Sequence, residues 1–155
     1  MTEREAVAQA MAFFEATDDI VLLHHALGEV APRAKKMVAQ LLGRGTEEAI
    51  PPPADLRPAR QPASKEQAMR TLKTTADFAL LQVLARSVGR RIEAAEIAAS
   101  AEFPEGAHVI VPANPTFPPS GPSLPGNVEV TGTMLRVLLD NGETWNGPPS
   151  LARLA

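Results

Sequence analysis

The sequence predicts an α+β fold, in which an Ala/Leu-rich helical hairpin or small bundle precedes a short antiparallel β unit. Apolar residues recur at helical spacing up to about residue 100. After Pro104 the apolar pattern changes to a period of two, which is typical of half-buried strands. The Asn-Gly pair at 141–142 lies between two such runs, and this pair favours a tight hairpin turn. Helices are therefore expected first and strands last.

Two helices are predicted at the N-terminus. Thr2 and Glu5 have the spacing of a capping box, and the segment 17–19, Thr-Asp-Asp, ends the first helix and caps the next. A second helix is predicted over 20–42, with Pro32 inside its apolar stripe. Because a proline removes one helical hydrogen bond, Pro32 either kinks this helix or begins a new one. The stripe stays in phase across Pro32, which favours the kink.

A proline-rich connector follows these helices. The segment 43–45, Gly-Arg-Gly, provides the stop for the second helix, and residues 46–63 include prolines at 51, 52, 53, 58 and 62. Prolines cannot donate a backbone hydrogen bond and favour extended backbone. The composition fits a free linker and equally a strap that crosses a helical surface.

Two more helices are predicted after the connector. Ser64 and Gln67 have capping-box spacing for a short helix that ends near residue 73. Thr74 or Thr75 is then expected to cap a long helix that reaches about residue 100. Its apolar stripe consists of Phe78, Leu81, Leu84, Ala85, Val88, Ile92, Ala95 and Ala99. A helix of about 25 residues is ~37 Å long, which suits antiparallel pairing with the second helix.

The C-terminal β unit is predicted from shorter signals. Residues 108–112 are expected to form a strand, and residues 114–126 a proline loop without regular structure. If the pair at 141–142 occupies the two central positions of a type I′ turn, Leu138 lies opposite Trp145. Trp145 is the single tryptophan of the chain.

These signals divide the chain into four segments. The N-terminal helices occupy 1–45, the connector 46–63, the short and long helices 64–101, and the hairpin segment with its proline loop 102–155. We expect the helices of the third segment to pack on those of the first. Only 4% of the residues are aromatic, which predicts a thin core and favours association with a partner.

Composition excludes several classes of function. The chain contains no cysteine, so disulfides, thiolate nucleophiles and cysteine-based metal sites are excluded. The net charge is −3 with mixed signs, whereas a nucleic-acid domain normally carries a basic surplus. The sequence contains no signal-peptide pattern and no apolar run long enough to span a bilayer. We expect a cytoplasmic protein with no membrane insertion, and we do not expect nucleic acid as its partner.

His24, His25 and Glu29 are the candidate ligands for a metal or a small molecule. His25 and Glu29 share a helix face at i, i+4 spacing. Two ligands do not complete a metal site, and adjacent histidines point in different directions. The sequence also has no GxSxG, Walker, GxGxxG or HExxH motif. It therefore predicts no metal, no cofactor and no catalytic residue.

The long helix carries the candidate interaction residues. Leu80 and Val83 flank its main stripe and widen the apolar arc beyond what one partner helix covers. We therefore expect self-association, with a two-fold dimer as the simplest closed form, or a protein partner. Arg86 and Arg90, with Arg91, form a small basic patch that fits a phosphate or an acidic partner. Glu93 and Glu96 lie within one turn, so an ordinary solvated helix face is the preferred interpretation.

The preferred function is a non-enzymatic protein–protein interaction, in an adaptor or assembly subunit. The first alternative is a nucleic-acid-associated accessory factor that uses the C-terminal hairpin, including Trp145, and the arginine patch. The second alternative is an enzyme, or a metal or small-ligand binder, centred on His24, His25 and Glu29. A specific companion protein, a DNA complex or a bound metal would distinguish the three.

Overall fold

The computed structural model describes residues 1–43 and 51–155. Four helices come first: α1 (Glu3–Ala16), α2 (Ile20–Leu42), α3 (Lys65–Thr74) and α4 (Phe78–Ser100). The strands follow: β1 (His108–Asn114), β2 (Ser120–Val130), β3 (Leu135–Leu139), β4 (Thr144–Gly147) and β5 (Arg153–Leu154). The α+β fold class is therefore confirmed. Within the described residues, no helix is both long and apolar enough to cross a membrane.

The chain divides into two compact units, and the boundary falls inside α4. Met1–Arg91 form the helical unit, and Ile92–Ala155 form the sheet unit. Each unit is described separately below.

Local caps start three of the helices where the sequence predicts them. The Thr2 hydroxyl accepts the Glu5 N–H at 3.1 Å, and an Asp19 carboxylate oxygen accepts the Leu22 N–H at 3.0 Å. Both hydrogen bonds of the capping box at the start of α3 are present. A polar side chain at the N-cap satisfies an amide that has no partner inside the helix.

Helix α2 continues through Pro32 as a single element, as its unbroken apolar stripe predicts. It ends at Leu42, and the N–H of the C-cap residue Gly43 donates to the Ala39 carbonyl. The rest of the predicted stop, residues 44–45, and the first part of the predicted connector, residues 46–50, lie outside the described residues.

The start of α4 differs from the prediction. Asp77 caps it, because a carboxylate oxygen of Asp77 accepts the Leu80 N–H at 3.2 Å. Thr74 is the last residue of α3, and Thr75 is its C-cap. The Thr75 hydroxyl donates back to the Thr71 carbonyl at 2.6 Å, and Thr75 lies two residues before the Asp77 cap, so it belongs to the end of α3.

Glu3 joins α1 to the start of α4. Its two carboxylate oxygens accept the N–H groups of Ala76 and Asp77, each at 3.1 Å. A carboxylate at this position also interacts favourably with the positive end of the helix dipole. The first turn of α1 is therefore tied to the beginning of α4.

Arg33 joins α2 to the end of α3. Its guanidinium donates to the Leu72 carbonyl and, at 2.7 Å, to the Thr75 carbonyl. These carbonyls have no partner inside α3, and a cation beside them is favoured by the negative end of the helix dipole.

Residues 51–63 cross the helical unit as an extended segment, which we call the strap. Of the two interpretations that the sequence left open, the structure therefore selects a bound segment. The strap donates three backbone hydrogen bonds to helices, namely Ala54 N–H to Ala79 O (3.2 Å), Ala59 N–H to Ala8 O (2.9 Å) and Ala63 N–H to Gln9 O (3.0 Å). The strap is thus bonded to both α1 and α4.

The strap changes the role of the α4 flank. Leu80 and Val83 are only 6% and 8% exposed, so they belong to the core of the helical unit. The expectation that they present an exposed apolar arc to a partner does not hold. That expectation assumed that one neighbouring helix cannot cover so wide an apolar arc. In the structure, the strap is also bonded to α4 and covers part of its surface.

The sheet unit contains one antiparallel sheet in the order β4-β3-β2-β1-β5. The short 3₁₀ helix Pro149–Leu151 precedes β5. Its first turn is held by the buried Glu96, whose carboxylate accepts the Ser150 N–H at 3.0 Å. The core of this unit consists of Phe103, Val109, Val111, Val128, Leu135, Val137, Leu139 and Trp145.

The hairpin between β3 and β4 has a three-residue loop, not the predicted two-residue turn. Leu139 N–H donates to Glu143 O at 2.8 Å, and Gly142 N–H donates to Leu139 O at 2.9 Å, so residues 140–142 form the loop. Gly142 has a φ of +88°, as the glycine that closes such a loop requires. The loop type was therefore wrong, although the hairpin and its position were right.

The longer loop shifts the strand register by one residue. Trp145 pairs with Val137, and Leu138 pairs with Thr144, so the predicted pair of Leu138 with Trp145 is wrong. Because alternate residues of a strand face opposite sides, Trp145 points into the core and Leu138 is 42% exposed.

Strand β2 begins inside the predicted proline loop, so the expectation of irregular structure is wrong over 120–126. Pro125 pairs with Ile110 of β1. Its carbonyl accepts the Asp140 N–H at 3.0 Å, so its backbone polar groups face away from β1. A proline at this position therefore removes no hydrogen bond from the β1–β2 pair.

We expect Arg33→Ala to lower the free energy of unfolding by about 2 kcal/mol, because it removes two charge-assisted hydrogen bonds. Arg33→Lys should recover less than half of this loss, since an ammonium does not reproduce the two-pronged geometry. Chemical denaturation measures both. Lys36→Ala, an exposed change on the same helix, is the control and should stay within about 0.5 kcal/mol. A similarly small effect of Arg33→Ala would contradict the role of this arginine.

Two glycine substitutions should have effects of opposite sign. A Cβ at Gly126 would lie 2.6 Å from the Leu138 carbonyl oxygen and 3.0 Å from the Leu139 Cα. Gly126→Ala should therefore destabilise the protein by about 2 kcal/mol. A Cβ at Gly89, inside α4, would meet nothing within 4 Å, so Gly89→Ala should stabilise it by about 0.5–1 kcal/mol. Thermal unfolding of both variants tests the close strand approach, which a neutral Gly126→Ala would disprove.

Candidate functional site

A groove of about 480 Å³ lies in the helical unit between α2 and α3. The α2 side is formed by its N-terminal turns, and the α3 side by one stripe along the helix. The lining residues are Asp19, Val21, Leu22, His25, Lys65, Met69 and Lys73. We call it the α2–α3 groove.

The stripe on α3 consists of Lys65, Met69 and Lys73, which are spaced four residues apart. Side chains at this spacing lie above one another on one helix face. Ala68 and Leu72 of α3 are fully buried. Burial of that face leaves the Lys-Met-Lys stripe to line the groove.

The residues of α2 that line the groove are likewise those left over when one face of the helix is buried. Leu23 and Ala26 are buried in the core, which leaves Val21, Leu22 and His25 at the groove. Val21 is 54% exposed, a large value for a β-branched aliphatic side chain. Val21, Leu22 and Met69 give the groove an apolar floor.

The rim of the groove is positively charged. Lys65 and Lys73 are exposed, and neither ammonium group forms a hydrogen bond or ion pair with another described residue. The Asp19 carboxylate is engaged in capping α2, where it accepts the Leu22 N–H. The two ammonium groups are therefore available to a negatively charged partner.

The histidine candidates do not assemble a metal site within the described residues. His25 Nε2 lies 3.9 Å from Glu29 Oε1, and their side chains are 60% and 37% exposed. Among residues 1–43 and 51–155, no group of three or more potential ligands is close enough to hold a metal ion. His24, the other candidate, is half-buried and makes a contact of its own. His25 instead contributes to the lining of the α2–α3 groove.

The predicted arginine patch is divided between two environments. Arg91 donates to the Thr17 carbonyl at 3.0 Å and to an Asp18 carboxylate oxygen at 2.8 Å, so it holds the turn between α1 and α2. Arg86 and Arg90 are exposed and line a second cavity, which they share with the strap.

Trp145 is a core residue. It is 4% exposed, and its indole N–H donates to the Pro112 carbonyl at 2.7 Å. The exposed side chains at the adjacent hairpin loop include the acids Asp140 and Glu143. The hairpin therefore presents negative charge at its tip rather than an aromatic contact.

Sequence reasoning missed the α2–α3 groove. The series Lys65, Met69 and Lys73 is visible in the predicted short helix, on the face next to Ala68 and Leu72. This signal identifies a polar-edged face on α3. It does not reveal that Val21 of a distant helix lies across from that face.

No protein-family model, curated protein or solved structure matched this chain. The geometry described above is therefore the basis for the functional argument.

We expect purified protein to contain no stoichiometric zinc, iron, manganese or nickel, because His25 and Glu29 supply only two ligands. Elemental analysis by plasma mass spectrometry measures this. His25→Ala should change the free energy of unfolding by less than about 0.5 kcal/mol, as expected for an exposed side chain. One metal per chain that is lost in His25→Ala would contradict the prediction.

Proposed function

We propose that the protein is a non-enzymatic adaptor, whose helical unit binds an acidic amphipathic helix of a partner protein in the α2–α3 groove. The observation that carries this proposal is an apolar floor bordered by two lysines that have no partner among the described residues. The proposed setting is the cytoplasm.

The chemistry of the groove favours this occupant over a small metabolite. Exposed aliphatic side chains gain free energy when a partner covers them, by roughly 25 cal/mol per Å² of apolar surface. Met69 adapts its shape readily, which suits a surface that receives another side chain. Helices in grooves are a recurrent mode of peptide recognition.

The spacing of the lysines defines the partner segment. Lys65 and Lys73 are eight residues apart, which corresponds to ~12 Å along the axis of α3. A partner helix that lies along α3 would place acidic residues at about i and i+7 or i+8. Apolar residues between them would contact Val21 and Met69.

The nucleic-acid alternative has weaker support. Arg136 on β3 pairs with Glu129 at 3.1 Å, and the hairpin loop carries Asp140 and Glu143. A negative loop would repel phosphate groups.

The proposal predicts that groove variants lose the companion protein. Tagged full-length chain would be used to isolate companions from native lysate, with wild type, Lys65→Glu/Lys73→Glu and Met69→Glu compared. A companion should be retained by wild type and lost from both groove variants. Lys35→Glu/Lys36→Glu is the matched control, because it makes the same charge change at exposed positions elsewhere on α2. It should retain the companion.

Cross-linking identifies the bound segment. Cross-links from Lys65 and Lys73 of the wild type should map to a companion segment with acidic residues on either side of apolar ones. A companion retained by Lys65→Glu/Lys73→Glu would refute the proposal. Cross-links that join the groove to a second copy of this chain would replace the adaptor with self-assembly.

A further inference from the structure

A second cavity in the helical unit, of about 200 Å³, lies among α1, the strap and α4. We call it the arginine cleft. Three arginines line it, one from the strap and two from α4. Its polar and charged lining residues are Arg57, Arg86, Arg90, Ser87, Glu15 and Asp55.

The three arginines are exposed to solvent and unpaired within the described part of the chain. Arg57, Arg86 and Arg90 are exposed, and their guanidinium groups form no hydrogen bond or ion pair with any described residue. Other arginines of the same unit behave differently. Arg33 and Arg91, for example, each donate two hydrogen bonds to carbonyl or carboxylate oxygens.

The acidic residues of the cleft form no ion pair with these arginines and offset only part of their charge. A carboxylate oxygen of Glu15 accepts the hydroxyl of Ser87 at 3.1 Å, and Ser87 is itself only 4% exposed. Asp55 also lines the cleft, without an ion pair to a described residue. Three arginines against two acids leave the cleft with a formal charge of +1, in a chain whose net charge is −3.

The backbone holds the arginines in place before a ligand arrives. Arg86 and Arg90 are one turn apart on a face of α4. Arg57 lies between Ala54 and Ala59, whose N–H groups are bonded to α4 and α1. Pro58, the next residue, has a fixed φ and also restricts the backbone of Arg57. A preorganised backbone reduces the entropy that binding would cost.

We propose that the arginine cleft binds the phosphate or diphosphate group of a small molecule. A guanidinium presents its N–H groups in a planar fork that matches two oxygens of a phosphate. Three guanidinium groups can together bind more oxygens than the two of a carboxylate. A diphosphate has enough oxygens to bind all three. The buried Ser87 lines the same cleft and donates its hydroxyl hydrogen bond to the exposed carboxylate of Glu15.

Binding would be measured by isothermal titration calorimetry on the full chain, with inorganic phosphate, inorganic pyrophosphate and ADP as probes. Pyrophosphate should saturate below about 1 mM and bind more tightly than phosphate. ADP that binds through the same arginines would assign the site to organic diphosphates. Pyrophosphate binding without ADP binding would assign it to the free anion, and either result supports the proposed chemistry.

Three variants test the residues. Arg86→Gln/Arg90→Gln should weaken pyrophosphate binding at least tenfold, while Arg60→Gln/Arg70→Gln, the same charge change at exposed positions outside the cleft, should stay within about twofold. Arg57→Lys keeps the charge but loses the fork, so it should weaken binding several-fold. Circular dichroism of each variant checks that the helices are retained.

Several results would overturn the proposal. These are no saturable pyrophosphate binding, equal weakening by the two double variants, or duplex DNA that binds more tightly than pyrophosphate. Lys65→Glu/Lys73→Glu should leave pyrophosphate binding unchanged, because neither lysine lines the cleft. This comparison separates a failure of the arginine cleft from a failure of the adaptor proposal.

Discussion

Three backbone hydrogen bonds from the strap to α1 and α4 determine how the helical unit is built. The chain is poor in aromatic residues, and helices rich in alanine bury little area for each residue. A bound extended segment supplies additional cover. Because prolines cannot donate, the N–H groups of Ala54, Ala59 and Ala63 make the contacts to helix carbonyls. The burial of Val83 and the position of Arg57 both depend on this arrangement.

A second constraint is that charged side chains close the ends of distant helices. Glu3 binds the start of α4, and Arg33 binds the end of α3. Arg91 binds the turn between α1 and α2. Buried or half-buried backbone groups at helix ends need partners, so these charges serve the fold. The charged side chains available for recognition in this unit are those that do not bind a helix end. They include Lys65, Lys73 and the three arginines of the cleft.

The elements that depend on local sequence were predictable. Thr2, Asp19 and Ser64 each cap a helix through the amide three positions onward, so the signal and its effect lie in one short segment. Asp77 was missed because Thr74, Thr75 and Asp77 form a series of competing caps. Which of these residues caps α4 depends on where α3 ends and on the hydrogen bonds from Ala76 and Asp77 to Glu3, which lies far away in sequence.

The errors in the β region and in the candidate sites have non-local causes. Strand β2 tolerates Pro125 because its polar groups face Asp140, which the residues around Pro125 do not reveal. Leu80 and Val83 were assigned to an interface because the strap was not known to bind α4. Of the candidate sites, the sequence identified Arg86 and Arg90 but grouped them with Arg91. Their actual neighbour, Arg57, comes from the strap.

The two proposed sites rely on different physical properties. The α2–α3 groove combines a flexible methionine with lysines on long stems, so it can accept related partner segments at a cost in side-chain entropy. The arginine cleft uses planar groups on an anchored backbone, which favours a fixed arrangement of oxygens. The two sites share no lining residue. Substitutions in distant, unconnected sites usually have additive effects, so each site can be altered while the other reports on the integrity of the helical unit.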